Sequence, residues 1–139
     1  IDQAIIVAGL HERASVTKLL SIHGFEQEVD ADDELRFYGV DRHRIRTLIE
    51  ENPELGENLH PRLNFVKAEV VWAVREEMAR TVEDVLARRV RALFLDARAS
   101  MEMAETVAQL MAPELGWSET RIKEEVKKYL ALAEGYILH

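Results

Sequence analysis

The chain has 139 residues, of which 47% are hydrophobic and 32% charged, enough for one domain with an apolar core and a solvated surface. It contains no cysteine, which excludes disulfide scaffolds, cysteine-ligated zinc and thiol catalysis. A net charge of −8 argues against a nucleic-acid partner, because phosphate binding needs clustered positive charge.

The first 40 residues give weak periodic signals. Asp2 is expected to cap a short helix that ends at Gly9, and its apolar run is too short to span a membrane. The segment from there to Ser21 fits helical and extended structure equally well. Residues 26–34 hold six carboxylates and no basic residue, which is typical of a solvated loop, and Leu35–Tyr38 is predicted to be a short extended piece.

Successive helices are predicted from Asp41 onward. Asp41 is a plausible N-cap for a helix that should stop before Pro53, because the residue before a proline avoids the α region. Leu59–Arg62 is predicted to be a second break. The spacing of apolar residues then predicts a helix from about Phe65 to Ala79.

The last three predicted helices also have recognisable ends. Thr81 and Asp84 form a variant capping box for a helix whose apolar stripe ends at Phe94. The next helix should end or kink at Pro113. Ser118 is expected to cap the final helix and Gly135 to terminate it. The predicted fold is therefore all-α, a compact bundle of about five helices with a less regular N-terminal segment.

No catalytic, cofactor-binding or metal-binding residue is assigned from the sequence. It lacks the glycine-rich dinucleotide motif, the P-loop and the H-E-x-x-H zinc motif. The histidines are scattered, and no two of them have the i, i+4 spacing that would direct both at one ion. They are His11, His23, His43, His60 and His139.

A basic cluster lies within residues 75–98 and consists of Arg88, Arg89, Arg91 and Arg98. Carboxylates in the same stretch nearly neutralise it, and helix-surface pairs such as Glu76–Arg80 and Asp84–Arg88 account for most of it. An anion site and a docking surface for a partner both remain open. The candidate interaction surface consists of Arg75, Arg80, Asp84, Arg88 and Arg91.

Two charged residues fall inside apolar helix faces. At 100° per residue, Glu77 lies among the valines of its helix and Arg89 among those of the next. We expect either that they form an ion pair which fixes the register of the two helices, or that each reaches solvent separately. If the pair is buried, removal of one partner should cost roughly 3–5 kcal/mol.

Residues 63–97 closely resemble the C-terminal helical domain of bacterial aerobic, FAD-dependent glycerol-3-phosphate dehydrogenases. The matching parts are Ala68–Val71, Ala73–Arg75, Glu77–Asp84, Arg88-Arg89 and Leu93–Ala97. Weaker likeness extends from about Ala8 to Tyr136. Pro113 departs from the family pattern by interrupting a helix that is continuous in relatives.

The resemblance implies a parent enzyme that oxidises sn-glycerol 3-phosphate to dihydroxyacetone phosphate, with FAD as its cofactor and quinone as electron acceptor. The flavin and substrate sites would lie in a preceding catalytic region, so no cofactor is expected in this chain. The missing initiator methionine agrees with a fragment or a processed chain. Residues 1–37 would be the linker from the catalytic region, and residues 38–139 the C-terminal helical domain.

The expected partner is the catalytic FAD domain of the same chain. A homodimer is left open, and no nucleic acid or transmembrane segment is expected. The location would be cytoplasmic, with peripheral attachment of the parent to the inner membrane left open. Two alternatives remain: a free-standing helical protein-interaction module, and a nucleic-acid-binding domain that uses Arg42, Arg44 and Arg46.

Overall fold

A computed structural model of the chain describes residues 2–11, 16–17, 19–28 and 30–137. Part of the segment that precedes Ser21, including Ser15, and the terminal His139 lie outside the described residues. The first helix, α1, spans Asp2–Val7, and Gly9 follows with a φ of 62°. The predicted short N-terminal helix is therefore present, but Asp2 is its first residue and the helix ends two residues before Gly9.

The prediction of extended structure at Leu35–Tyr38 is wrong, because a 3₁₀ helix occupies Arg36–Asp41. The Asp33 carboxylate accepts a hydrogen bond from the Leu35 amide at 3.0 Å, which favours a helical turn over a strand. Gly39 within this helix has φ 53° and ψ −130°, and it lies directly against the backbone of Gly24. Only glycine fits both that backbone conformation and that contact.

Helix α2 spans Arg42–Glu51 and stops before Pro53, as predicted. Asp41 is not its side-chain cap, since it has helical backbone angles and instead lies 3.0 Å from His23 Nε2. A second 3₁₀ helix follows at Pro53–Gly56, and the Asn52 side chain caps it.

The sequence did not predict the β-hairpin formed by β1, Asn58–His60, and β2, Leu63–Val66. The predicted helix start at Phe65 is consequently wrong. Helix α3 spans Lys67–Glu76, and it begins where the Glu69 carboxylate accepts the Val66 amide at 2.7 Å. It ends three residues before Ala79, because Met78 has a left-handed φ of 57°.

The capping box at Thr81 and Asp84 is confirmed, with reciprocal side-chain hydrogen bonds of 3.0 and 3.1 Å to the two backbone amides. The helix that follows is not continuous. A π-helix spans Asp84–Arg89, Arg91 has a left-handed φ of 59°, and a short helix α4 covers Ala92–Leu95.

Helix α5, Ala97–Leu115, is the long central helix. It continues through Pro113, so it does not end there; its last residue is Leu115, and Gly116 follows with a φ of 66°. Helix α6, Glu119–Glu134, has the predicted cap, since the Ser118 hydroxyl accepts the Arg121 amide at 3.3 Å, and it ends at Gly135 as predicted.

Helix α5 is central to the bundle because α3, α4 and α6 all pack against it. The larger of two apolar clusters fills the space between these helices, and a buried hydrogen bond of 2.9 Å from Tyr129 to Ser100 joins α6 to α5. The smaller cluster joins α2 to α3 through Ile45 and Trp72. The fold is thus the all-helical bundle predicted from the sequence, with one small hairpin added.

Candidate functional site

A concave groove of about 1150 Å³ lies between the first 3₁₀ helix, the hairpin, the π-helix and α4. We call it the arginine groove, because five arginines line it together with three glutamates and three phenylalanines. Its lining residues are Glu34, 36–38, 62–65, Glu69, Glu77, 88–91, Phe94 and Leu95.

A buried carboxyl forms part of the groove's wall. Glu69 is only 5% exposed, and its two oxygens accept hydrogen bonds from the Tyr38 hydroxyl at 3.0 Å and the Val66 amide at 2.7 Å. Burial raises the pKa of Glu69 to about 7, although both hydrogen bonds oppose this rise. Burial also raises the pKa of the Tyr38 phenol, and the adjacent Glu69 charge adds to that rise. The Tyr38 hydroxyl therefore keeps its proton and remains the donor to Glu69.

Glu77 and Arg89 lie side by side in the same groove. Arg89 Nε is 3.3 Å from Glu77 Oε2, and an Arg89 Nη donates to the Glu77 carbonyl at 2.5 Å. Trp72 Nε1 donates to the other carboxylate oxygen at 3.2 Å. The two charged side chains are 28% and 31% exposed, so the pair is partly solvated and not buried. Its role in fixing the helix register remains a prediction.

The backbone on both sides of the π-helix is unusual. Met78 and Arg91 are the non-glycine residues with positive φ in the described part of the chain, and they lie on either side of the π-helix. A left-handed conformation costs a non-glycine residue of the order of 1–2 kcal/mol. Such outliers and π-helical turns both concentrate at functional sites.

The groove opens between cationic and apolar side chains. Phe37, Phe94 and Leu95 are 84%, 57% and 66% exposed. The Arg36 guanidinium lies 4.4 Å from the centre of the Phe37 ring. Among the described residues, neither Arg36 nor Arg91 forms an ion pair with a carboxylate. The groove therefore presents two guanidinium groups without a carboxylate partner, and exposed apolar side chains, in the part of the chain that the structure describes.

The predicted interaction surface is divided by the structure. Arg75 forms two hydrogen bonds of 2.8 and 2.6 Å with Glu114 on α5, outside the groove. Arg80 donates to the carbonyls of Val74 and Ala79 instead of pairing with Glu76 as predicted. Of the five predicted residues, the groove contains Arg88 and Arg91.

The predicted ion pair Asp84–Arg88 is present, at 2.9 Å between Oδ1 and an Nη. Asp84 also caps the Thr81 turn, and these hydrogen bonds hold the pKa of its carboxyl below the ordinary value despite the opposing effect of burial. Asp84 is therefore occupied in stabilising the start of the π-helix.

Sequence reasoning missed Tyr38, Glu69, Arg36 and Arg62 as groove residues. The position of Glu69 between Ala68 and the two valines that follow it was a usable signal, since a carboxylate inside an apolar run needs a partner. Arg62 could not have been found, because its position depends on the hairpin that was not predicted.

The arginines of α2 are paired within the chain. Arg42 pairs with Glu26 and with Asp33, the latter at 3.2 Å; Arg44 lies 2.8 Å from Glu76, and Arg46 lies 2.7 Å from Asp33. These pairs account for the three cations on which a nucleic-acid hypothesis depended. They also show that the acidic stretch does more than solvate a loop, because it neutralises α2.

The histidines do not converge within the described residues, and no group of three or more metal-ligating side chains is found there. His60 has a structural position: its Nδ1 accepts the Arg62 amide at 3.1 Å, and its Nε2 lies 2.9 Å from Glu102 on α5. No described helix is long and apolar enough to cross a membrane.

Comparison with known proteins gives a consistent result. Residues 3–122 match the family model described as the C-terminal domain of alpha-glycerophosphate oxidase. The chain is 31% identical over 133 residues to the probable mitochondrial glycerol-3-phosphate dehydrogenase of Caenorhabditis elegans, covering 92% of the chain and 18% of the relative.

Other relatives show the same partial coverage. A glycerol-3-phosphate dehydrogenase of Synechocystis is 32% identical, covering 73% of the chain and 19% of the relative. Glycerol-3-phosphate dehydrogenase 2 of Mycobacterium bovis is 27% identical, and the match covers 99% of the chain and 27% of the relative. The chain thus spans about a fifth to a quarter of the length of these curated relatives. No solved structure is significantly similar to it.

Proposed function

The chain belongs to the family of C-terminal domains of alpha-glycerophosphate oxidase, and from this premise we propose that it is the non-catalytic helical cap of a glycerol-3-phosphate dehydrogenase. The parent enzyme oxidises sn-glycerol 3-phosphate to dihydroxyacetone phosphate and passes the electrons to quinone. The observation that carries this proposal is the match of nearly the whole chain to a small part of relatives with that name.

The parent's flavin does not fit into these residues. An FAD site of the dinucleotide-binding type needs a parallel strand, a glycine-rich turn and a helix N-terminus. The described residues contain one antiparallel hairpin, and its turn is His60-Pro-Arg-Leu63, without glycine. We therefore assign FAD to the parent's catalytic region and derive no redox step through this chain.

Residues 1–37 act as the connection to the catalytic region, and residues 38–139 as the domain itself. The apolar core supports a boundary close to this point, because Leu35 is the first described residue that contributes to it. The described part of the connection instead has large apolar side chains exposed to solvent, as expected of a surface that contacts another part of the polypeptide. They include Ile6, Val7, Leu10, Leu19, Leu20 and Ile22.

The cap's partner is the catalytic FAD region of the same chain. Its proposed location is cytoplasmic, with the parent attached peripherally to the membrane that supplies quinone. A homodimer is compatible with the exposed apolar segment. The alternative is a free-standing interaction module. The cap of a larger enzyme requires a much longer encoded polypeptide than the free-standing module does.

The test uses the complete polypeptide encoded by the gene. It should be purified in detergent and assayed for glycerol-3-phosphate oxidation with a soluble quinone analogue, and its flavin should be measured by visible absorbance. We expect flavin and turnover in the complete polypeptide and neither in residues 1–139 alone. An open reading frame that ends near this length, or flavin retained by the isolated chain, would contradict the proposal.

A further inference from the structure

We propose that the arginine groove binds an acidic segment of the same dehydrogenase polypeptide, outside these 139 residues, with an apolar side chain of that segment lying against Phe94 and Leu95. This inference rests on the proposed function, because it requires a parent polypeptide. It adds the surface through which the cap recognises the rest of the enzyme and the chemistry of the segment it recognises.

Charge is the first reason for choosing an acidic occupant. Five arginines line the groove against three carboxylates, in a chain whose net charge is −8. Three of the five are paired: Arg62 with Asp96 and Glu102, Arg88 with Asp84, and Arg89 with Glu77. Arg36 and Arg91 have no carboxylate partner among the described residues. Two guanidinium groups are thus available to a ligand, and each can bind a carboxylate in bidentate fashion.

The exposed apolar side chains exclude a simple inorganic anion as the preferred ligand. Phe37, Phe94 and Leu95 are each more than half exposed, although they belong to an otherwise well-packed domain. Arginine and aromatic side chains around one concavity form the typical centre of a protein–protein interface. An occupant with both carboxylates and an apolar side chain satisfies both features of the groove.

The backbone supports a binding role for Arg91. Its left-handed conformation is costly for arginine, and no hydrogen bond of its side chain within the described residues offsets that cost. The conformation ends the π-helix and places Arg91 on the groove wall beside Phe94. An ion pair between Arg91 and a bound carboxylate would offset the cost of this backbone conformation.

The shape of the groove favours a polypeptide segment over a membrane surface as its occupant. Arginine and phenylalanine side chains also occur in lipid-binding surfaces, but a bilayer contacts convex or flat protein faces. The groove is concave, and its volume of about 1150 Å³ exceeds the roughly 300–1,000 Å³ of small-molecule clefts, which leaves room for a polypeptide segment. Its wall includes the partly buried Tyr38–Glu69 hydrogen bond.

The experiment is photo-crosslinking in the complete flavin-containing enzyme, with p-benzoylphenylalanine in place of Phe94. We expect an intramolecular cross-link to a peptide rich in aspartate or glutamate, identified by mass spectrometry. The same group in place of Lys127, which is exposed on α6 outside the groove, is the control and should not label that peptide. A cross-link to lipid, to a second copy or to no peptide at all would overturn the proposal.

Charge reversal tests the two unpaired arginines. The double variant Arg36→Glu and Arg91→Glu should reduce the Phe94 cross-link at least tenfold. It should also increase amide hydrogen exchange in the groove peptides. The control double variant Lys123→Glu and Lys127→Glu makes the same change in net charge on α6 and should leave both measurements unchanged.

An unchanged cross-link in the arginine variant would refute the electrostatic part of the inference. Flavin content and glycerol-3-phosphate oxidation of the parental enzyme are measured in parallel. Their absence would refute the proposed function, whereas an active enzyme without the cross-link would refute only the groove assignment.

Discussion

Glu69 and Glu77 both lie in the apolar stretch from Ala68 to Ala79, but their surroundings in the folded domain differ. Glu69 is enclosed and has neutral hydrogen-bond partners, Tyr38 and the Val66 amide. Glu77 remains partly solvated and has a cationic partner, Arg89. Because burial without a cationic partner disfavours the charged form, the pKa of the Glu69 carboxyl is raised to about 7.

Glu69 should make stability depend on pH. Its pKa is raised from 4.5 to about 7 on folding, so the folded state binds more protons between these values. The contribution of Glu69 to stability is then fully present below pH 4.5 and is lost as the pH rises through 7. Relative to the parent, Glu69→Gln should gain about 3 kcal/mol between pH 4.5 and pH 8.

This prediction is checked by urea denaturation of the parent and the variant at a series of pH values, with the difference taken at each one. Glu50→Gln is the matched control, because Glu50 is exposed on α2. Its stability curve should run parallel to that of the parent. Parallel curves for Glu69→Gln as well would show that the buried carboxyl is not linked to folding in this way.

The Glu77–Arg89 pair should contribute less than a buried pair would. Both side chains are about 30% exposed, so water screens much of their interaction. A double-mutant cycle with Glu77→Gln and Arg89→Gln should give a coupling energy of about 1 kcal/mol, below the 3–5 kcal/mol of a buried pair. A Glu77→Gln variant as stable as the parent would remove the proposed role in helix register.

At the scale of elements, the contact between Gly24 and Gly39 fixes the loop beside α2. A Cβ on Gly39 would overlap the Gly24 carbonyl oxygen, and the backbone angles of Gly39 suit only glycine. Gly39→Ala should destabilise the domain by about 3 kcal/mol or more, from steric overlap and strain together.

Gly116→Ala provides the comparison for this effect. Gly116 also has a positive φ, but a Cβ added there meets no atom within 4 Å. Its cost should be only about 1 kcal/mol from the left-handed conformation. Thermal or urea unfolding of both variants distinguishes the two contributions, and equal losses would show that the Gly24 contact is unimportant.

Elements that start with a local hydrogen-bonding signal could be predicted from the sequence. The Thr81–Asp84 box and the Ser118 cap satisfy backbone amides within three residues, so their sequence pattern is sufficient. The hairpin could not be predicted, because Leu63–Val66 has only four residues and continues into the helical pattern of α3. Pairing with Asn58–His60 decides its conformation, and that is a tertiary effect.

The candidate site was predictable only in part for the same reason. Glu77 and Arg89 could be related to each other because each sits in the apolar face of a predicted helix. The approach of Tyr38 to Glu69 spans 31 residues and depends on a 3₁₀ helix that was predicted to be extended. The left-handed conformation of Arg91 has no sequence signal, since glycine or asparagine is the residue expected there.

For the whole molecule, the distribution of apolar surface divides the chain into a packed domain and an exposed N-terminal segment. Leu19, Leu20 and Ile22 are exposed and belong to neither core cluster. When the 139-residue chain is isolated, this surface should cause self-association, because the area is apolar and has no partner. Sedimentation velocity over a concentration series should show a weight-average coefficient that rises with concentration.

Replacing these three residues by serine should abolish the rise and change the free energy of unfolding by no more than roughly 0.5 kcal/mol, since the substitutions lie outside the packed domain. Serine at Glu50, Lys123 and Lys127 is a control of equal number at exposed polar positions and should associate as the parent does. A parent chain that stays monomeric would refute the prediction. A serine variant that associates as the parent does would show that Leu19, Leu20 and Ile22 are not the associating surface.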